Sequence, residues 1–468
     1  LESINYDEIN PSIFPSSEAD VESLVIAAYH PLRGAWSDGI HTTSENGLMF
    51  VLDATTEILQ GNYAVQQEAT LHRYNPTTTG VTRFYDTFYN KISAMTLSID
   101  RIANSDVNEN IKEQGIAEIR CARGLLAYEL FDMYGPLVIA PLEILQNPLE
   151  EAPLARLSHE EMVSFIETDL LAAIEGLPTP EEATYGRFSQ GLARMILIRL
   201  YLHEKRWGDV LTQANAILDM GYYELEDDYV GLWDVEAPVD SREVIWATPA
   251  DYAGTSENQW QLMVLPSNFP ERGGWGTIQS SWKFYDSFEE GDIRKTNLIA
   301  EYTGTDGVTY NRENPANYMQ LGPLPLKIAA DADRSTGLTT VDIIQYRFAD
   351  VLLSKAEALA NMNGGGTQEA IDLVNIVRER AQIPPLELTG HTDIDSFNTM
   401  ILVERSHEYW CENGQYRSDL IRHGKYVEYA NDLNGVSSES APYKVLFPFS
   451  LERISEGKGA FLQNPGYN

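Results

Sequence analysis

The sequence predicts a mainly α-helical protein, a scaffold of paired helices broken by two loop-rich insertions at 34–83 and 224–341. Three observations carry this. Long blocks repeat apolar residues every three or four positions. Glycine or Gly-Pro stops those blocks. Between them lie two stretches richer in Trp, Tyr, Gly, Pro and Asn, where the helical period fades. At 468 residues the chain allows two to four domains or one large helical array.

In chain order, a helix is predicted over Asp20–Leu32 and another over Phe84–Ile102. From Glu113 to Tyr134 the stripe Ile116, Ile119, Ala122, Leu126, Leu130 and Met133 marks a third, stopped by Gly135-Pro136. Ser158–Ile174 reads the same way. Ser189–Gly221 is a helical hairpin turning at Lys205-Arg206-Trp207-Gly208, with Gly221 as its stop. Val244-Ile245-Trp246-Ala247 reads as a short strand. A second hairpin runs from Ile344 to Met362, turns at Asn363-Gly364-Gly365-Gly366 and restarts behind an N-cap at Thr367. Its second helix shows Ala370, Ile371, Val374 and Val377 on one face, and a last helix covers Ile394–Cys411. The hairpins resemble tetratricopeptide units without the regular period of that repeat. Long irregular segments inside a helical chain usually carry binding function, so the insertions are expected to meet in space.

Charge excludes some partners. Lys plus Arg number 33 against 70 Asp plus Glu, a formal net charge of −37 that would repel nucleic acid and an anionic membrane surface. No run of apolar residues reaches membrane-spanning length. Leu1-Glu2-Ser3-Ile4-Asn5-Tyr6-Asp7 has no basic or apolar leader region, so the chain is either cytosolic or numbered from beyond a trimmed targeting segment. Cys121 and Cys411 form no CxxC and read as inert, semi-buried thiols. None of the eight histidines falls in an HExxH motif, and GxSxG, GxGxxG and the P-loop are missing. No metal, cofactor or catalytic residue is expected.

Aromatic rings are the remaining chemistry. An exposed ring face stacks on the C–H face of a sugar, while neighbouring amides, arginines and carboxylates take its hydroxyls. Trp207, Trp246, Trp282 and Trp410 read as core, and Trp233 as a plug at a core edge. Trp36, Trp260 and Trp275 sit in polar or glycine-rich stretches, where ligand stacking and loop anchoring are both open. Trp275 leads them because Gly274 and Gly276 would let a ligand reach its ring, with Arg272 nearby.

The order of motifs resembles the SusD/RagB family of outer-membrane glycan-binding lipoproteins. The similarity begins at Phe14-Pro15-Ser16 and Ala27-Ala28-Tyr29, then runs through Phe84-Tyr85-Asp86-Thr87-Phe88-Tyr89 and Glu118-Ile119-Arg120 to Phe131-Asp132-Met133-Tyr134-Gly135-Pro136. Tyr346-Arg347-Phe348-Ala349-Asp350-Val351-Leu352-Leu353 and Ala356-Glu357-Ala358 continue it, followed by Asn375, Val377-Arg378 and Arg380-Ala381. Glu404-Arg405 with Glu408, Ser418-Asp419-Leu420-Ile421-Arg422 and the closing Gln463-Asn464-Pro465-Gly466-Tyr467 complete it. His423, where an aromatic is usual, and Ser406-His407 depart from the pattern.

The resemblance implies a single unit over 1–468. Its superhelix of about four tetratricopeptide-like helix pairs, mainly 14–33, 84–223 and 342–425, would pack against an irregular half with short strands. It implies a non-catalytic glycan binder with no cofactor, held at the outer-membrane surface by an N-terminal lipid anchor absent from this chain. The partner would be a SusC-like TonB-dependent transporter, and the charge favours a neutral glucan. Family position adds Tyr74 and Asn75, with Asn62 and Tyr63 behind them, to Trp275, Trp260, Arg272 and Trp36 as glycan-binding candidates; Tyr74 reads equally well as a capped turn residue. A tetratricopeptide-type adaptor and a binder of peptide or other nutrient cargo are the alternatives.

Overall fold

The computed structural model describes residues 14–36, 38–147, 153–235, 237–251, 256, 258–329, 338–431 and 438–467; the Leu1–Asp7 stretch lies outside them. The chain opens with α1 (Glu18–Tyr29), whose Ser17 cap and Asp20 form a capping box. The first insertion holds α2 (Leu48–Asp53), β1 (Leu59–Gly61) and α3 (Ala64–Thr70). Neither helix was expected. Leu48-Met49-Phe50-Val51-Leu52 is buried on every side, so it has no polar face and no amphipathic period to read.

Helices α4 (Thr79–Ala103), α5 (Glu109–Tyr134), α6 (Leu142–Gln146), α7 (His159–Gly176), α8 (Gln190–His203) and α9 (Trp207–Asp219) follow. Helices α4, α5, α7, α8 and α9 pack one on another in that order. Helix α5 is central, lying against α1, α4, α7 and α8. Its predicted stripe is buried apart from half-buried Ile116, and Gly135 ends it at φ +71°. A Cβ on Gly124 would lie 2.8 Å from Leu170 Cδ2, so glycine is what allows α7 to cross that close. Buried charges on α5 are paired: Arg123 Nε and Nη2 each donate to Asp169 at 2.7 Å, and Glu118 takes Arg187 at 2.8 Å.

The second insertion contains α10 (Ala237–Asp240), β2 (Val244–Thr248), α11 (Trp260–Val264), β3 (Ile278–Ser280), α12 (Trp282–Ser287) and the short strands β4 (Leu298–Ile299), β5 (Tyr302–Thr303), β6 (Thr309–Tyr310) and β7 (Leu324–Pro325). Helical pairing then resumes through β8 (Ile343–Arg347), α13 (Phe348–Asn363), α14 (Gln368–Arg380), α15 (Ile394–Tyr409), α16 (Gln415–Arg422), α17 (Tyr426–Asn431) and α18 (Leu451–Glu456). The result is a superhelix of tetratricopeptide-like pairs against an irregular part with short strands.

Two boundaries differ from expectation. Ile344–Arg347 is strand, not the first turn of a helix, because this β-branched and aromatic stretch pairs antiparallel with β2. Cys411 lies beyond α15 in the left-handed region at φ +56°. Both cysteines are fully buried rather than semi-buried, and Trp207 and Trp282 are half-buried rather than core. The expected caps hold: Thr367 Oγ1 accepts from Ala370 N at 3.1 Å, and Gly364 and Gly221 take left-handed conformations.

A buried ion network joins the second insertion to the last helices. Arg294 meets Asp292 at 2.7 Å, Glu404 at 2.6 Å and Glu408 at 3.0 Å. Arg347 meets Glu243 at 2.9 Å and Glu412 at 2.7 Å, and also pairs with Glu408. Arg380 binds Glu243 and Glu408. Lys327 pairs with Glu412 and donates to the carbonyls of Glu408 and Trp410, both at 2.9 Å. Burial alone would push the Glu408 carboxyl up; Arg380, Arg347, Arg294 and Lys327 outweigh it and hold it below the usual carboxylate range. Burial likewise pulls the Lys327 ammonium down to about 8, against the pull of Glu412.

Because the folded-state value of Glu408 is depressed, its stabilising contribution is present above the unfolded value of 4.5 and is lost as pH falls through and below it. Glu408→Gln should therefore cost about 3–5 kcal/mol at pH 7, as for one partner removed from a buried ion pair. It should also flatten the acid limb of stability. Urea unfolding of both proteins between neutral and acid pH checks both outcomes.

Candidate functional site: an aromatic ledge where the two insertions meet

The two insertions are joined by β1 and β3, which pair antiparallel with Leu59 opposite Ser280 and Gly61 opposite Ile278. Just past the end of this pairing, Asn62 N donates to Thr277 O at 3.0 Å and Asn62 Nδ2 to Gly276 O at 2.9 Å. Gln66 of α3 reinforces the seam: its Oε1 accepts from Tyr63 N at 3.2 Å and its Nε2 donates to Thr277 Oγ1 at 3.1 Å. Pattern reading missed Gln66 and Thr277. Their only sequence signal was membership of the two irregular stretches.

This seam presents Trp275, which is 51% exposed, and Tyr63, which is 57% exposed. Trp36 stands against Trp275 edge to face, with ring centroids 5.6 Å apart and planes at 72°. Trp36 itself is half-buried on the core. Such a contact fixes the exposed indole by its quadrupole and leaves ring surface to solvent.

The glycines beside Trp275 have another role than the one expected of them. A Cβ on Gly274 would lie 2.6 Å from Leu265 O and 2.7 Å from Leu262 O, and one on Gly273 2.6 Å from Ser267 O. The segment lies flat on the end of α11, where Trp275 N donates to Leu262 O at 2.7 Å and Thr277 N to Met263 O at 2.8 Å. Gly276 turns at φ +59°. Glycine here gives the backbone a close seat that tips the indole outward.

Other predicted contacts fall elsewhere. Trp260 is fully buried and its Nε1 donates to Pro325 O at 2.7 Å, so it offers no ring face to a ligand. Tyr74 is likewise buried, its hydroxyl donating to Lys444 O at 2.8 Å. Arg272 is buried as well. Packing overrides the polar neighbourhoods that made these residues look exposed. Asn75 is exposed, but its Oδ1 closes a turn by accepting from Thr77 N at 2.9 Å; this strap bonds to the carboxyl-terminal segment, with Glu439 N donating to Leu71 O at 2.7 Å. The structure thus brings together Trp36, Trp275, Asn62 and Tyr63, with Asn62 holding the seam, while Tyr74, Trp260 and Arg272 are buried and Asn75 closes a separate turn. Among the described residues no group of three His, Cys, Asp or Glu side chains is arranged to hold a metal ion, and no helix is long and apolar enough to cross a membrane.

Comparison with known proteins is consistent along the chain. Residues 2–202 match a family profile described as starch-binding associating with outer membrane, and residues 242–467 match the SusD family profile. SusD-like protein P2 of Formosa agariphila is 23% identical over 421 residues, covering 83% of this chain and 81% of that protein. A SusD-like protein from Bacteroides fragilis superposes with a TM-score of 0.80 at 19% identity, over 98% of this chain and 99% of that one. Surface glycan-binding protein A from Bacteroides thetaiotaomicron, solved with laminarihexaose, superposes with a TM-score of 0.77 at 18% identity, over 96% and 100%. These superpositions show a shared fold.

Gly274→Ala should lift the 273–276 segment off α11 and swing Trp275 away from Trp36. The expected readout is loss of the exciton signal of the paired indoles in circular dichroism, with the helical signal unchanged.

Proposed function

The chain belongs to the SusD family, and from that premise we propose that it is a non-catalytic surface glycan-binding protein whose ligand lies on the Trp275 ledge. The observation that carries the reading is the exposed Trp275 indole, braced by Trp36 and set between the two insertions. A pyranose would stack its C–H face on Trp275, and Tyr63 would supply a second ring further along the chain of sugars. Asn62 acts as a positioning residue, because its amide group holds the Gly276 carbonyl. The segments 34–83 and 224–341 are the ligand-binding parts of one unit, and the helical pairs are their rigid support.

The ligand proposed is a neutral glucan. A net charge of −37 disfavours sulfated or uronic polymers, and the ledge is made of rings rather than cations. The laminarihexaose-bound neighbour of the same fold supports this class of ligand. The family description as associating with outer membrane supports a place at the cell surface. There the protein would hang from a lipid anchor and pass oligosaccharide to a SusC-like TonB-dependent transporter. Binding without bond cleavage needs no activated nucleophile or acid–base pair.

Trp275→Ala should weaken retention on immobilised laminarin by about tenfold, the scale of one lost ring contact. The native protein should release no reducing sugar from the same polymer. Unchanged retention of the variant would remove the ledge from the site, and reducing-sugar release would overturn the non-catalytic reading.

A further inference from the structure

A second cleft lies away from the ledge, among helix ends of the scaffold. It measures about 550 Å³ and is formed where the start of α9, the end of α13, one face of α15 and the α16–α17 turn come together. Ligand pockets commonly span about 300–1,000 Å³, so the space suits a short oligosaccharide.

Its lining is mixed, with polar groups beside rings. Asp395, Asn398, Thr399 and Leu402 stand at the three- and four-residue spacings that put them on one face of α15. Leu402 is buried, whereas Asp395 and Thr399 are exposed and Asn398 half-buried, so the polar part of this face opens into the cleft. Asn361 Nδ2 donates to Asn398 Oδ1 at 3.2 Å, which leaves the Asn398 amide nitrogen to act as a donor. Thr399 Oγ1 donates to Asp395 O at 2.8 Å and keeps lone pairs to accept with. Donors and acceptors are therefore both present, as a sugar hydroxyl requires. Two half-buried rings, Trp207 and Tyr429, also line the space.

The charges indicate a neutral ligand. Arg422 is held by Glu357 at 2.7 Å and Asp419 at 2.8 Å, and Lys425 by Glu428 at 2.9 Å. Lys205 and Asp395, of opposite charge, also line the space. No set of uncommitted cations is gathered for a sulfate or carboxylate.

We propose that this cleft is a second site for a neutral oligosaccharide, separate from the Trp275 ledge; the proposal rests on reading the protein as a glycan binder. Two sites on one rigid body would let a long polymer be held at two points, raising its effective affinity without any new contact.

The test is isothermal titration of the full chain with laminarihexaose, maltohexaose and cellohexaose, using the native protein, W275A, T399R and N398A. Thr399 is exposed, so T399R fills the cleft without opening the core, and N398A removes the donor without adding bulk. With at least one hexasaccharide, a binding event should survive in W275A and be weakened about tenfold or lost in both T399R and N398A, with melting temperatures unchanged. Binding that W275A abolishes and neither cleft variant alters would overturn this proposal and leave the ledge standing. Binding lost only in the cleft variants would support the proposal and overturn the ledge. No binding to any of the three sugars would overturn both.

Discussion

Arg294, Lys327, Arg347 and Arg380 come from separate stretches of chain and converge on the end of α15, where Glu408 and Glu412 receive them. Each ion there would be very costly to bury alone, because removing a charge from water is not repaid by packing. The network works because carboxylates and cations arrive together, with Glu243 and Glu404 shared between arginines. It constrains the whole molecule: Arg294 and Lys327 lie in the second insertion, Arg380 ends α14, and Glu404 and Glu408 sit on α15. Docked this way, the irregular part leaves Arg294, Lys327, Arg347 and Arg380 each facing a carboxylate. A second set, Arg405 with Asp350 at 3.0 Å and Asp419 at 2.7 Å, and Arg422 with Glu357, ties α13, α15 and α16 in the same way.

This constraint reaches the ledge through the backbone. With the second insertion fixed at its base, α11 gives a firm seat for the glycine segment, and β3 meets β1 from the first insertion. Exposed rings on loops lose entropy when a ligand orders them. Here the ordering is already done by backbone contacts and by Trp36, so the cost to a stacking ligand is small. The ledge rings come from the two insertions, and the helical scaffold holds the insertions in place.

Much of the scaffold was readable because its signals are local. The α5 stripe, the Thr367 cap and the stops at Gly135, Gly221 and Gly364 depend on neighbours within a turn or two. The misses have a common cause. Helix α2 is buried on every side and so shows no period, and β8 was read as helix because its partner β2 lies about a hundred positions earlier in the chain. The later motifs behind the family resemblance supply many ions of the two networks: Arg347, Asp350, Glu357, Arg380, Glu404, Arg405, Glu408, Asp419 and Arg422, with Arg378 pairing to Glu404 at 2.9 Å. Their presence could be read from the sequence, but their pairing could not.

The ledge divides the same way. By itself the sequence determined the helical scaffold, the two irregular insertions and a short set of aromatic candidates, because period, capping and composition are properties of neighbouring residues. Only the tertiary structure decided that Trp275 faces solvent while Trp260, in equally polar surroundings, donates to Pro325 inside the core, and that Tyr74 is buried while Tyr63 is not. Exposure is set by whichever backbone closes over a ring from a distant part of the chain, and no local pattern encodes that approach.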